Sequence, residues 1–241
     1  GMTYAHDDND LYITFFAESQ TEIELGGTPV KVEQKTAYPN DGEISVAIDP
    51  AKPTKFRLRL RIPTWTRERF VPGELYRYAD SHDAPIELSV NGDRVEATIE
   101  KGFASIERQW KPGDRVVLNL PMPVRVTECH PAVKANTNRI AFTRGPFVLC
   151  AEGVDNGGAT QRFYFDSLPD TSKTKIRTTR IESGSFIQTD VAAQAITSTG
   201  DTQATKLVLT PYYAWNNRGM ESMTVWFPTR ADMAIYDPHA I

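Results

Sequence analysis

The sequence predicts an all-β fold made of two consecutive antiparallel β-sandwich domains, and three observations support this prediction. Short runs in which apolar and polar residues alternate recur along the 241 residues, as half-buried strands require. Gly, Pro and Asn separate these runs at positions that suit tight turns. No segment of ten or more residues has a convincing helical period. Many short strands joined by such turns are typical of sandwiches and barrels.

The clearest strand is "KFRLRLRIP", residues 55–63. One face carries apolar side chains and the other carries arginines: Phe56, Leu58, Leu60 and Ile62 against Arg57, Arg59 and Arg61. The arginine row predicts a solvated sheet face that pairs with acidic residues on neighbouring strands. A nucleic-acid surface is the alternative, and the net charge of -4 disfavours it.

Turn residues define the rest of the first half. Asn91 and Gly92 stand between two alternating runs and predict a two-residue hairpin, because both turn positions favour positive φ. "WKPGDRVVLNLPMP" predicts a Pro-Gly turn and a strand that ends at two prolines, which cannot join a central ladder. The segment Thr66–Pro85 predicts a long excursion between two strands of the first domain.

The second half restarts the strand pattern after a break. Alternation stops in "ECHPAVKANTN" and resumes at Arg139, which predicts a first domain at residues 1–124 and a second at 125–241. Its strand candidates are "RIAFTRG", "PFVLCAE", "TKLVLTPYY" and "MTVWF". "TDVAAQAIT", residues 189–197, predicts at most a short turn of helix.

Composition and charge disfavour several classes of partner. Hydrophobic residues make up 40% and charged residues 24%, as in ordinary globular proteins. A pI near 5.6 predicts neither a nucleic-acid nor an anionic-membrane partner. No apolar run approaches the roughly 18–20 residues of a membrane-spanning helix. The start, "GMTYAHDDNDLY", contains no secretion signal, and the compartment, bacterial periplasm or cytoplasm, stays open.

Two groups of metal-ligating residue types occur, and each has a structural alternative. Cys129 and His130 are neighbours, but neighbouring strand residues point to opposite faces, so they could share an ion only at a bend. Asp7, Asp8 and Asp10 fail the spacing of an EF-hand loop, and a solvated loop is the alternative. No metal site is therefore predicted on this chain.

Catalytic motifs are absent from the sequence. There is no Gly-x-Ser-x-Gly elbow, phosphate-binding glycine loop or His-Glu-x-x-His. A carboxylate pair can cleave a glycoside only when the fold brings the two groups to about 5–10 Å, which sequence spacing does not establish. No catalytic residue is predicted.

Several phrases in order resemble one family. They are "LYITFF", "YPNDGEISVAI", "FRLRLRIPTW", "SVNGDRV", "KGFASIERQWKPGDRVVLNLPMPVR", "IAFTRGPFVLCAE" and "LTPYYAWNNRG". Together they resemble the region downstream of the catalytic domain in glycoside hydrolase family 127, the β-L-arabinofuranosidase-type enzymes. The resemblance runs from about Leu11 to about Phe227. "RGPFVLCAE" followed by "PYYAWNNRG" is its most specific part.

The resemblance implies an accessory role. In that family an (α/α)6 barrel carries catalysis, with a zinc-bound cysteine nucleophile and glutamate and cysteine co-ligands, and two β-sandwich domains follow it. None of the barrel motifs occurs here, and Cys129 and Cys150 match none of the ligand positions. The implied partners are the barrel of the same parent chain, a second copy in a homodimer, and a plant or microbial glycan as indirect substrate. Any zinc would lie in that barrel. Leu11–Ala17 and Thr66–Pro85 are predicted to form the patch that the barrel covers.

Aromatic residues support an alternative, a free-standing carbohydrate-binding module. Its candidate sugar-stacking residues are Trp65, Tyr76 and Tyr78. The segment Thr210–Phe227 is also rich in aromatic residues. As an extended strand it would direct aromatic rings to both faces, which predicts that Trp215 packs in a core or an interface instead of forming a sugar platform.

Overall fold

The computed structural model describes residues 3–68, 70–182 and 184–237. The all-β prediction is confirmed, with 50% of residues in strands and 8% in helices. By their contacts, the described residues divide into two compact units, named here the first unit (3–67 and 83–122) and the second unit (68–82 and 123–237). Each unit has its own hydrophobic core.

The strands in chain order are β1 (Tyr4–His6), β2 (Asp10–Ile13), β3 (Ser19–Leu25), β4 (Thr28–Thr36), β5 (Glu43–Pro50), β6 (Thr54–Arg61), β7 (Tyr76–Tyr78), β8 (Glu87–Val90), β9 (Asp93–Arg94), β10 (Thr98–Glu100), β11 (Phe103–Trp110), β12 (Asp114–Asn119), β13 (Val124–Cys129), β14 (Arg139–Arg144), β15 (Phe147–Glu152), β16 (Phe163–Tyr164), β17 (Arg177–Ile181), β18 (Gly184–Ile196), β19 (Thr202–Pro211), β20 (Met223–Thr224) and β21 (Phe227–Pro228). The helical elements are one α-turn, α1 (Gly153–Asn156), and 3-10 turns at Thr64–Thr66, Lys134–Asn136, Thr160–Arg162, Tyr212–Ala214 and Ala231–Met233. Within the described residues, no helix is long and apolar enough to cross a membrane.

The first unit is a sandwich of two sheets. One sheet has the order β1-β2-β6-β11-β10 and the other β3-β4-β5-β12-β8-β9. The pairs are antiparallel except that β2 runs parallel to β6, a departure from the all-antiparallel prediction. Apolar side chains of both sheets meet in one core, which includes the fully buried ring of Trp110.

The alternating strand and the hairpin of the first unit are confirmed. The apolar face of β6 is buried, whereas Arg57 donates to Glu107 on β11 at 3.0 Å and Arg59 to Asp10 on β2 at 3.1 Å. The arginine row is thus a sheet face paired with acidic neighbours. Between β8 and β9, the φ angles of Asn91 and Gly92 are 54° and 92°, the left-handed values that a two-residue turn requires.

The second unit is one path of antiparallel pairs in the order β16-β18-β19-β15-β14-β13-β7, with β17, β20 and β21 attached to β18, β15 and β14. Residues from opposite parts of this path share one core. Phe163 of β16, Phe142 of β14 and Val126 of β13 are all buried in it. The path therefore folds over on itself, as a sandwich or barrel requires.

The predicted helical turn at residues 189–197 is wrong. This segment lies in the 13-residue strand β18, which pairs along its length with β19. Val191, Ala193 and Ala195 are buried and alternate with more exposed residues, which is a strand period of two. Alanine's weak strand preference concealed that period, and tertiary pairing decided the conformation.

Most of the predicted excursion, Thr66–Pro85, belongs to the second unit. Its residues 76–78 form β7, an edge strand paired with β13. A buried cation explains the attachment. Arg125 of β13 donates to the Asp80 carboxylate at 2.9 Å and to the Asp80 carbonyl at 2.8 Å, and its guanidinium lies 3.9 Å from the centre of the Tyr78 ring. Arg125 is only 6% exposed, and a buried charge requires a partner. The carboxylate and carbonyl of Asp80 and the ring of Tyr78 provide these contacts, which hold the segment on the second unit.

Candidate functional site

A small aromatic cleft lies on the first unit, beside the end of β2. It has a volume of about 230 Å³ and is lined by Thr14, Phe15, Phe16, Tyr38, Arg61 and Pro63. The Phe16 ring meets Tyr38 edge-on at 5.6 Å, and Trp65 stacks on Tyr38 at 6.5 Å. Phe15 is 57% exposed, although it adjoins this packed set of rings. We refer to this feature as the Phe15 cleft.

The three candidate sugar-stacking residues have different surroundings. Trp65 is half-buried in the first unit, in contact with Tyr38. Tyr76 is half-buried in the second unit, with its ring 5.8 Å from that of Trp226. Tyr78 is 8% exposed and lies against Phe70 and a buried arginine, so its ring offers little surface to a sugar. Sugar binding at these residues stays a prediction.

The most exposed aromatic group of the second unit follows β19, in residues 212–220, named here the aromatic turn. Tyr212 is 47% exposed, Tyr213 55%, Trp215 38% and Met220 75%. The strand predicted through Tyr213 ends earlier, because β19 stops at Pro211 and a 3-10 turn follows. Trp215 is therefore not a core residue, and its packing in an interface stays a prediction.

Pairs of rings build the surface of the aromatic turn. Tyr212 and Trp215 lie 5.9 Å apart with their planes tilted by 33°. Tyr213 lies 5.2 Å from Phe147 of β15 with a tilt of 45°. Such tilted pairs present a corrugated apolar surface and not one continuous flat face.

A buried ionic cluster holds the aromatic turn to the body of the second unit. Arg218 donates to both carboxylate oxygens of Asp155, at 2.8 and 2.6 Å, and to Glu152 at 3.1 Å. Gln188 of β18 donates to Asp155 at 2.8 Å. Bidentate pairing fixes the guanidinium plane, so it also fixes the turn that carries it. We name these four residues the Arg218 cluster.

Burial governs the electrostatics around this cluster. Glu152 is 2% exposed, its Oε1 atom has no hydrogen-bond partner among the described residues, and burial raises its pKa above the usual value. Burial and the nearby Glu152 raise the pKa of Cys150 to about 12. That thiol is therefore protonated at neutral pH and behaves as a small apolar core residue.

Replacing Glu152 by glutamine is expected to change how the stability of the second unit depends on pH. Burial raises the pKa of Glu152 in the folded state. The stabilisation that its bound proton provides is therefore complete at pH values below the pKa of Glu152 in the unfolded chain. It is lost as pH rises through the pKa of Glu152 in the folded state. As pH rises from the unfolded-state pKa of about 4 through the raised folded-state pKa, the wild type should therefore lose stability relative to Glu152→Gln.

The measurement is urea unfolding at several pH values. Hydrogen exchange of the β18 and β19 amides is the probe that reports unfolding of the second unit. The control is Glu182→Gln, at an exposed position of the same unit. Parallel pH curves for wild type and Glu152→Gln would contradict the prediction.

The residues once considered as metal ligands have local structural roles. The Cys129 thiol donates to the carbonyl of Asn136 at 3.3 Å, whereas Nδ1 of His130 accepts the Ala132 N–H at 3.1 Å. Asp7 accepts two backbone N–H groups of its own loop, at 2.9 and 2.8 Å, which lower its pKa. Across residues 3–68, 70–182 and 184–237, no three His, Cys, Asp or Glu side chains are grouped to hold a metal ion.

Two family models match this chain in succession. Residues 10–122 match the β-L-arabinofuranosidase, GH127 middle domain, and residues 124–228 match the glycoside hydrolase family 127 C-terminal domain. The chain belongs to glycoside hydrolase family 127. The family resemblance seen in the ordered phrases of the sequence is thereby confirmed.

Solved structures of family 127 share the fold. A GH127 β-arabinofuranosidase matches with a TM-score of 0.87 and 32% identity, over 97% of this chain and 37% of that chain. A GH127 β-L-arabinofuranosidase from Geobacillus stearothermophilus T6 matches with a TM-score of 0.79 and 30% identity, over 94% of this chain and 34% of that chain.

A curated relative agrees with them. The non-reducing end β-L-arabinofuranosidase of Bifidobacterium longum subsp. longum is 28% identical over 213 residues, 81% of this chain and 30% of that protein. This family 127 chain thus spans only about a third of the length of these relatives.

The carboxylate anchor of the aromatic turn could not be predicted from the sequence. Asn217 donates to the Ala214 carbonyl at 3.1 Å, a contact within the turn, whereas the Arg218 guanidinium binds two carboxylates of an earlier segment. The signal was the acidic pair of "CAEGVDN", Glu152 and Asp155, yet nothing in the sequence places it beside a residue more than 60 positions later.

Proposed function

We propose that this chain is a non-catalytic accessory region of a longer family 127 protein, in which its two units brace a catalytic domain outside the chain. The observation that carries the proposal is coverage: the chain matches the middle and C-terminal family models, and relatives known as arabinofuranosidases are about three times as long. The family resemblance implies that the catalytic domain is an (α/α)6 barrel with a zinc-bound cysteine.

The exposed aromatic surfaces support this role. Interfaces between domains of one chain resemble protein interfaces, whose buried parts are enriched in aromatic residues and methionine. The Phe15 cleft on the first unit and the aromatic turn on the second both have that composition. On the same proposal, the substrate is a plant or microbial glycan that only the catalytic domain cleaves. A homodimer built through these units is a further part of the proposal.

A carbohydrate-binding module is the second candidate function. Its support is the exposure of three aromatic side chains in the aromatic turn, Tyr212, Tyr213 and Trp215. Two features favour a protein partner instead: the ring pairs are tilted by 33° and 45°, and the neighbouring Met220 is 75% exposed. Sugar rings stack best on a flat aromatic face, whereas methionine adapts to irregular protein surfaces.

The purified chain is expected to hydrolyse no glycoside. Cleavage requires an acid and a nucleophile or base on opposite sides of the anomeric carbon, and the proposal assigns both to the domain outside this chain. The assay uses p-nitrophenyl arabinofuranosides and a panel of other glycosides, with and without added zinc. The positive control is the longer protein that carries this region.

Two results would contradict the accessory role. One is turnover that co-purifies with the chain and disappears when one of its own carboxylates or cysteines is replaced. The other is a saturable change of tryptophan fluorescence with arabino-oligosaccharides that Trp215→Ala abolishes without loss of stability, which would favour the binding module.

A further inference from the structure

We propose that the Phe15 cleft is the surface on which the domain preceding this region in the longer protein docks. This inference rests on the proposed accessory function and deepens it by naming the contact. Among the described residues of the first unit, Phe15 and Ile99 are the exposed large hydrophobic side chains, at 57% and 48%. Phe15 lines the apolar Phe15 cleft.

The exposure of Phe15 is fixed by its surroundings. Gln34, fully buried beneath this end of the sheet, donates to the Phe15 carbonyl at 3.4 Å and to the Tyr4 hydroxyl at 2.9 Å. The next residue, Phe16, is 7% exposed and packs against Tyr38. The backbone on both sides of the ring is thus anchored. The exposed ring and the adjoining cleft form one contiguous apolar patch, and contiguous apolar patches mark interaction sites.

The position of Thr3 indicates which partner covers the cleft. The Thr14 N–H, next to Phe15, donates to the Thr3 carbonyl at 2.9 Å. Thr3, the first described residue, therefore lies beside the cleft. The match to a middle-domain model, and the large part of each relative outside the match, indicate that a domain comes before this region. A domain tethered so close has a high effective concentration at the cleft.

The size and polarity of the cleft suit a protein side chain better than a sugar. Its volume of about 230 Å³ is below the roughly 300–1,000 Å³ of typical small-molecule sites. Arg61, at the rim, is the one charged side chain among the six that line it. An apolar centre with a polar rim is the usual pattern of a contact between domains.

The test compares the longer protein with the 241-residue chain by hydrogen exchange. Peptides that cover residues 14–17 and 61–66 are expected to exchange about tenfold more slowly in the longer protein, because docking removes this backbone from solvent. Peptides of β10, which carries Ile99, serve as the internal control and are expected to exchange equally in both proteins.

A pair of variants in the longer protein completes the test. Phe15→Arg is expected to return the cleft peptides to the exchange rate of the isolated chain, whereas Ile99→Arg, its matched control, should leave them protected. The same Phe15→Arg change in the 241-residue chain should leave its melting temperature within about 2 °C of wild type, because the ring is exposed there.

The outcomes separate this inference from the accessory function. Equal exchange of the cleft peptides in the two proteins would overturn the docking site, even if the longer protein is an active hydrolase. Two effects of arabino-oligosaccharides would also overturn the docking site in favour of a sugar site. One is loss of the protection of the cleft peptides in the longer protein, and the other is new protection of these peptides in the isolated chain. Turnover by the isolated chain would instead overturn the accessory function.

Discussion

Replacing Arg218 by methionine is expected to lower the free energy of unfolding of the second unit by about 3–5 kcal/mol. Methionine keeps most of the aliphatic length but removes the charge. The side chains of Glu152 and Asp155 are only 3% and 18% exposed, so without Arg218 they become buried carboxylates without a cationic partner. Removing one member of such a pair costs more than the pair contributes, because the remaining charge is not resolvated.

The matched control is Arg230→Met. Arg230 also pairs with a carboxylate, Asp232, at 2.7 Å, but the two side chains are 60% and 62% exposed. Exposed pairs contribute about 0–1 kcal/mol, so this variant should remain close to wild type. The measurement is hydrogen exchange of β18 and β19 amides in denaturant, which reports on the second unit alone. Equal effects of the two arginine variants would contradict the prediction.

A triple variant distinguishes charge burial from anchoring of the aromatic turn. Adding Glu152→Gln and Asp155→Asn to Arg218→Met removes the unpaired charges, and should restore a large part of the lost stability. The turn itself stays without its anchor. Its peptides, residues 212–220, should therefore still exchange faster than in wild type. Complete recovery of both readouts would show that Arg218 is not what holds the turn.

Local patterns were sufficient for most of the first unit. The alternation around Leu58 and the positive φ required at Asn91 are properties of a few adjacent residues, so the strand and the hairpin could be predicted from the sequence alone. The parallel pairing of β2 with β6 could not. It depends on which strands lie side by side after folding, and period-two patterning is the same in parallel and antiparallel pairs.

The errors in the second unit have the same physical origin. Residues 189–197 contain three alanines, whose small side chains gave a weak signal, and pairing with β19 decided their conformation. The strand "TKLVLTPYY" was predicted to run through Tyr213, yet it ends at Pro211 and a 3-10 turn follows. The Arg218 cluster joins residues more than 60 positions apart, so local sequence could not reveal it.

Trp110→Ala is expected to destabilise the first unit by about 3–5 kcal/mol, the usual cost of deleting a buried large aromatic side chain. Trp110 is fully buried, its ring stacks on Phe56 at 5.6 Å, and its indole N–H donates to the Phe56 carbonyl at 3.0 Å. Alanine would leave both a cavity between the two sheets and a buried carbonyl without its donor.

Trp215→Ala is the matched control, because Trp215 is 38% exposed and its removal should cost about 1 kcal/mol or less in the second unit. Hydrogen exchange of β6 and β11 amides for the first variant, and of β18 and β19 for the second, measures the two costs separately. Similar costs would mean that the ring of Trp215 is packed as completely as that of Trp110, and would contradict its assignment to an interaction surface.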